Sequence, residues 1–259
     1  MPDYENIILQ KKDEVISLTL NRPEKLNALN EKTVLELRQA LEGLEHDQDF
    51  KVLTITGAGR AFCAGGDLNE LAAVAESPLG TEAAQKRFRT SHAIAAILKR
   101  IKQPIITIIN GDAVGAGLSL ALLGDIRIAA ASARFGAVFG RVGLAPDLGC
   151  VYNLTRTVGI NKACELALLG DIIPAAEAER IGLVNKVVPD GELMETAQNW
   201  AGRLAKTPLW TLVLTKSALH KSLNLDFYSE LEDEINTQSY CLTTAETKQR
   251  IRSFLERKK

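Results

Sequence analysis

Apolar positions along the chain change their period several times, and each change marks an element. Residues 6–10 and 15–20 alternate or run apolar on either side of Lys11-Lys12-Asp13-Glu14, which predicts a β-hairpin. Asn21-Arg22-Pro23-Glu24-Lys25 reads as a loop, and Asn30 is placed to cap a helix starting near Glu31. In that helix Val34, Leu35, Leu37, Leu41 and Leu44 form an apolar stripe. Runs rich in β-branched residues at 52–56 and 105–109 predict strands. Between them, 81–102 is helical, with Ala93, Ile94, Ile97, Leu98 and Ile101 on one side and Pro104 as its stop. A short helix to Leu123 and a strand over 125–130 follow. Strands alternating with helices imply an α/β core. From about Glu192 the pattern is helical only, over 192–206, 208–222, 226–240 and 244–257. The chain thus divides into a core, 1–191, and a helical region, 192–259, that must cover its apolar face with its own core or a neighbouring subunit.

Two glycine-bearing turns follow the β-branched runs. They are Ala61-Phe62-Cys63-Ala64-Gly65-Gly66-Asp67-Leu68 and Asn110-Gly111-Asp112-Ala113-Val114-Gly115-Ala116-Gly117. Each leads into residues able to start a helix. Small side chains let a ligand approach the backbone, and free N–H groups at a helix start attract negative charge. Brought together, two such turns would hold one developing oxyanion.

Composition narrows the field. The 259 residues suffice for one large core, and 46% hydrophobic with 24% charged residues is ordinary for a globular protein. A net charge of −1 lacks the basic surplus that broad nucleic-acid binding requires. The apolar stretch around Ala113–Leu123 is too short for a membrane span and carries Gly and Ser. The first residues show no basic-then-apolar secretory pattern, and the cysteines at 63, 150, 164 and 241 form no C-x-x-C pair. Reduced thiols, no metal and a cytoplasmic location are therefore expected. Cys63 and Cys150 are expected as small buried hydrophobes.

Several motifs fail. Gly57-Ala58-Gly59 and Gly115-Ala116-Gly117 each follow a strand, but Phe62 and Leu120 stand where a dinucleotide fingerprint needs its third glycine. There is no phosphate-binding G-x-x-x-x-G-K-S/T segment and no G-x-S-x-G elbow. His46, His92 and His220 sit in helical segments among polar neighbours and are expected on solvated faces or in ordinary packing.

The ordered set of segments resembles the enoyl-CoA hydratase/isomerase (crotonase) family over nearly the whole chain. It comprises the loop Leu20-Asn21-Arg22-Pro23-Glu24-Lys25-Leu26-Asn27-Ala28-Leu29, both glycine turns and Gly124-Asp125-Ile126-Arg127-Ile128-Ala129. Phe135-Gly136, Gly143-Leu144-Ala145-Pro146-Asp147, Ile181-Gly182-Leu183-Val184 and Phe254-Leu255-Glu256-Arg257-Lys258 complete it. The resemblance implies a spiral of β-β-α turns, C-terminal helices that form a trimer or dimer of trimers, and a coenzyme A thioester as substrate, with no permanently bound cofactor. It implies that the backbone N–H groups of Gly66 and Ala116 hold the thioester oxygen. It also implies that Lys25, Leu26 and Ala28, with Ala64, Asp67 and Leu68, bind coenzyme A. Phe254 and Arg257 match positions that reach a neighbouring subunit's nucleotide.

The chain departs from the hydratases at the two positions where they carry glutamates, which are Ser119 and Phe139 here. Hydration needs one group to activate water and another to protonate carbon, so it is disfavoured. Asp147 remains, where the isomerase branches place an acid, and the surrounding segment looks most like the ring isomerase of phenylacetate degradation. One carboxylate suffices for a 1,3-proton shift. Pro-Asp at a helix start would lower the acid's pKa, whereas burial beside Phe139 and Leu148 would raise it; both readings stand at this stage. Ser119 is expected to bond its own helix backbone, and Phe139 to fill the acyl pocket. The resulting expectation is an acyl-CoA isomerase with Asp147 as proton shuttle. The alternatives are a hydratase, decarboxylase or hydrolase using the same oxyanion hole, and a coenzyme A-binding scaffold without chemistry.

Overall fold

The computed structural model describes residues 3–256. Its elements follow the sequence pattern closely. A hairpin, β1 (Ile7–Lys12) and β2 (Val15–Leu20), precedes α1 (Glu31–Glu45), where the Asn30 side chain accepts the Thr33 N–H as predicted for a cap. Then come β3 (Val52–Gly57), β4 (Ala61–Cys63), α2 (Leu68–Ala75), α3 (Thr81–Arg100), β5 (Ile105–Ile109), β6 (Asp112–Val114) and α4 (Ala116–Ala121). β7 (Ile126–Ala130), β8 (Arg134–Gly136), α5 (Cys150–Leu169), β9 (Ile172–Pro174), α6 (Ala175–Arg180) and β10 (Lys186–Val188) complete the spiral. The helices α7 (Leu193–Ala205), α8 (Leu209–Lys221), α9 (Phe227–Thr243) and α10 (Ala245–Glu256) follow.

The long strands form one sheet in the order β1-β2-β3-β5-β7-β10, parallel after the first hairpin. The short strands form a second sheet, β4-β6-β8-β9, whose first three members are parallel. β3, β5 and β7 each hand the chain to a short strand, β4, β6 and β8, before a helix returns it, which is the expected β-β-α spiral. Every residue of β5 is buried, as a central strand covered on both faces requires.

The helical region divides differently from the sequence pattern. α7 buries Leu193, Ala197 and Ala201 in the main core and packs on β2, β3, β5 and β7, so this first helix of 192–259 is part of the core layer. α9 and α10 bury no residue and expose Phe227, Leu242, Phe254 and Leu255.

The half-buried carboxylate of Asp125 moors α8 to the sheet. Asp125 accepts the Ile105 N–H at 2.8 Å and lies 2.8 Å from both Lys216 Nζ and His220 Nε2. Burial alone would raise its pKa, but the His220 hydrogen bond, the Lys216 charge and the Ile105 N–H together hold it below the usual carboxylate range.

Two outcomes are expected. α4 lies so close to β4 that a Cβ on Gly117 would stand 2.0 Å from the Cys63 carbonyl oxygen. Gly117→Ala should therefore lower unfolding free energy by on the order of 1–3 kcal/mol in denaturant titrations. Because the Asp125 pKa is lower in the folded chain, its pairing stabilises above the unfolded value of about 3.9 and is lost as pH falls through the folded value. Thermal melts on the acid side should show a steeper loss for the wild type than for Asp125→Asn, which starts from a lower melting point at neutral pH.

Candidate active site

The first glycine turn is seated by the loop before α1. Leu29 N–H donates to Gly65 O at 2.7 Å, Asp67 N–H to Leu29 O at 3.1 Å and Ala64 N–H to Leu26 O at 3.0 Å. Asn27 is buried and bonds the carbonyls of Ala58 and Ala61, fixing the approach to the turn. The second turn runs from β6 into α4, with Gly115 N–H donated to Gly136 O at 2.9 Å. Gly65 adopts φ +95°, and a Cβ there would lie 3.0 Å from Val114 O and 3.4 Å from Ala116 N. Backbone therefore faces backbone across the junction, with no side chain between.

Gly66 and Ala116 open onto the same cavity, about 550 Å³ in volume. Ala116 is the first residue of α4, so its N–H has no acceptor within the helix, and neither it nor the Gly66 N–H bonds any acceptor among the described residues. Two unpaired donors on the wall of one cavity are the kind of group that can take the oxygen of a bound carbonyl and hold it more firmly as it gains charge.

Asp147 stands on the wall of this cavity and is the one acidic residue lining it among the described residues. It does not cap α5. That helix begins at Cys150 after Gly149 in the left-handed region, and the Asp147 main chain instead accepts the Cys150 N–H at 2.9 Å. The Asp147 Oδ1 is buried with no hydrogen-bond partner among the described residues. Burial pushes the carboxyl above its ordinary range, against the opposing pull of His92, its own N–H and Arg87. Of the two environments open in the sequence, the geometry provides the buried one.

The glutamate positions behave as the sequence suggests. Phe139 is buried and lines the cavity, on a 3-10 turn over Val138–Val142. Ser119 is fully buried, and its hydroxyl donates back to Gly115 O at 3.3 Å within α4. Cys63 and Cys150 are buried thiols, pushed up to about 12 and about 11 by desolvation, and so are not nucleophiles at neutral pH.

Other expected positions divide. Ala64 and Leu68 join Gly66, Ala116 and Asp147 on the cavity wall. Lys25, Leu26, Ala28 and Asp67 are not among the residues that line it. Lys25 ends an exposed 3-10 turn, Leu26 follows with φ 51°, and Asp67 caps α2 while pairing with Arg22 at 3.3 Å. Phe254 sits exposed on α10, outside that wall, and Arg257 lies outside the described residues.

The structure also brings in residues the sequence did not single out. α3 contributes Arg87, Phe88 and His92 to the wall; His92 is exposed, as expected of a solvated face, and it also lines the cavity. Its Nε2 accepts the Leu148 N–H at 3.2 Å. The spacing 88, 92 on the side of α3 opposite Ile94 and Ile101 was the available signal. Among the described residues no group of three or more His, Cys, Asp or Glu could hold a metal ion, and no helix is long and apolar enough to cross a membrane.

Comparison with known proteins agrees with this geometry. The family model described as enoyl-CoA hydratase/isomerase matches residues 10–259. A crotonyl-CoA hydratase from Syntrophomonas wolfei is 36% identical over 260 residues, covering 99% of this chain and 97% of the relative. A 1,2-epoxyphenylacetyl-CoA isomerase from Escherichia coli is 37% identical over 244 residues, covering 94% and 93%. The crystal structure of an enoyl-CoA hydratase from Bacillus anthracis superposes with a TM-score of 0.91 at 30% identity, covering 98% of this chain and 97% of that one. A spiral core carrying two facing glycine turns, matched from end to end by such relatives, makes this chain a member of the enoyl-CoA hydratase/isomerase family.

Proposed function

We propose that the chain is an acyl-CoA isomerase acting through a thioester enolate, with Asp147 moving the proton. The observation that carries this reading is the unsatisfied, buried oxygen of Asp147, the lone carboxylate on a wall that also presents two free amides. With a 3-enoyl thioester, Asp147 takes a proton from C2 and the electron pair spreads over C4 and the carbonyl oxygen. The Gly66 and Ala116 N–H groups hold that oxygen. The same carboxyl then returns the proton to C4, leaving a 2-enoyl thioester, and no atom is gained or lost. Each fixed donor in a water-poor site is worth roughly 3–4 kcal/mol of barrier. A raised pKa suits the task, since the acid must accept and release one proton near neutrality.

Hydratase chemistry is the second reading, favoured by the names of similar relatives such as the Syntrophomonas enzyme. Against it stand Ser119, whose hydroxyl is turned into its own helix, and Phe139, which cannot transfer a proton. The coenzyme A moiety is assigned to Lys25, Leu26, Ala28, Ala64, Asp67 and Leu68, with Phe254 and Arg257 serving a neighbouring subunit. A homotrimer or dimer of trimers is part of the same proposal, supported by the uncovered apolar side chains of α9 and α10. A cytoplasmic location belongs to it as well.

Turnover of 3-enoyl-CoA against hydration of 2-enoyl-CoA separates the readings, and the isomerase should prefer the former. Asp147→Asn should lower kcat by about 10²–10⁴-fold, the usual worth of one acid–base group. Unchanged turnover would remove Asp147 from the mechanism. The same variant should melt no lower than the wild type at neutral pH. The folded pKa of Asp147 is raised, so ionisation costs folding stability once pH exceeds the unfolded value, and the amide escapes that cost.

A further inference from the structure

Asp147 precedes a residue held in a backbone conformation that L side chains rarely adopt. Leu148 has φ 51° with its side chain fully buried, and Gly149 follows at φ 77°. One end of this short segment is closed by the Cys150 N–H on Asp147 O at 2.9 Å. The other tie leaves the segment altogether, because the Leu148 N–H donates to His92 Nε2 at 3.2 Å on α3. The imidazole is itself set by the Phe88 ring one turn earlier, with centroids 6.4 Å apart.

We propose that His92 is a positioning residue for Asp147: its unprotonated Nε2 takes the Leu148 N–H and so holds the neighbouring carboxylate aimed into the cavity. The inference rests on the reading of Asp147 as proton shuttle. A ring nitrogen that accepts a hydrogen bond carries no proton, so the neutral tautomer bears its proton on Nδ1. An imidazolium has no lone pair to offer. Protonation would therefore release Leu148, and the new positive charge would also draw the Asp147 carboxyl to lower pKa, making it a weaker base. The charged groups facing this ring across the cavity are Asp147 and Arg141; Arg87 lies one turn earlier on α3 and is paired with Glu70 at 3.2 Å. His92 thus ties the segment that carries the carboxylate to α3.

The test compares His92→Ala, His92→Asn and Asp147→Asn in the full-length protein. His92→Ala should lower kcat by about 10–100-fold, the cost of a misplaced reacting group, while KM changes little. His92→Asn keeps an acceptor at this position, so it should recover most of kcat. Hydrogen–deuterium exchange over 142–150 gives a readout independent of turnover: protection at Leu148 should fall in His92→Ala and persist in His92→Asn. Wild-type kcat in His92→Ala, or no recovery in His92→Asn, overturns the proposal even where Asp147→Asn is inactive. If Asp147→Asn itself retains full turnover, the proton-shuttle reading fails and this inference falls with it, whatever the exchange data show.

Discussion

Residues 63–66 and 114–117 approach each other backbone to backbone, and the rest of the site depends on that contact. A Cβ at Gly117 would penetrate the Cys63 carbonyl, and one at Gly65 would crowd Val114 O. Removing side chains from the junction exposes two main-chain donors to one cavity. The parallel pairing of β4 with β6 sets their spacing, because each turn is the continuation of its strand. The donors are therefore as rigid as the sheets, and their positioning needs no side-chain rotamer to be correct. This favours stabilising charge that appears only during reaction, since fixed dipoles do not have to reorganise.

Asp147 stands at the opposite extreme. It lies on an irregular segment between a 3-10 turn and α5, in a position where burial opposes its charge. The chain accepts that cost at one carboxyl and nowhere else on the cavity wall. Phe139 stands on that wall and Ser119 is turned into its own helix, so neither position supplies a second carboxylate.

Regular elements were legible where local chemistry is unambiguous. β5 falls on 105–109 as read, because a β-branched run lies between Pro104 and a glycine turn. The cap at Asn30 was equally plain. Positions decided by distant chain were not. His92 has polar neighbours and lies off the Ile94–Ile101 stripe, so its helix alone offers it only the Phe88 ring; the wall it joins arrives with residues 138–148. A place at a helix start is one of the two readings the sequence leaves open for Asp147; the left-handed Gly149 moves that start to Cys150 and leaves the carboxylate without a capping role. α7 buries Leu193, Ala197 and Ala201, a stripe too small-sided to tell core from tail by periodicity. The left-handed Gly159 inside α5 gave no local sign of the break it makes in that helix.

Asp125 joins α8 to the first residue of β5, the strand that runs directly toward the second glycine turn. The helix hairpin beyond α8 is consequently anchored at the foot of a catalytic strand instead of to a peripheral loop. Any force applied to the exposed helices enters the molecule through that strand's base, at the end remote from Ala116. Subunits docking through α9 and α10 would share a frame of reference with the amide pair, and the alignment of neighbouring cavities would be inherited from the sheet.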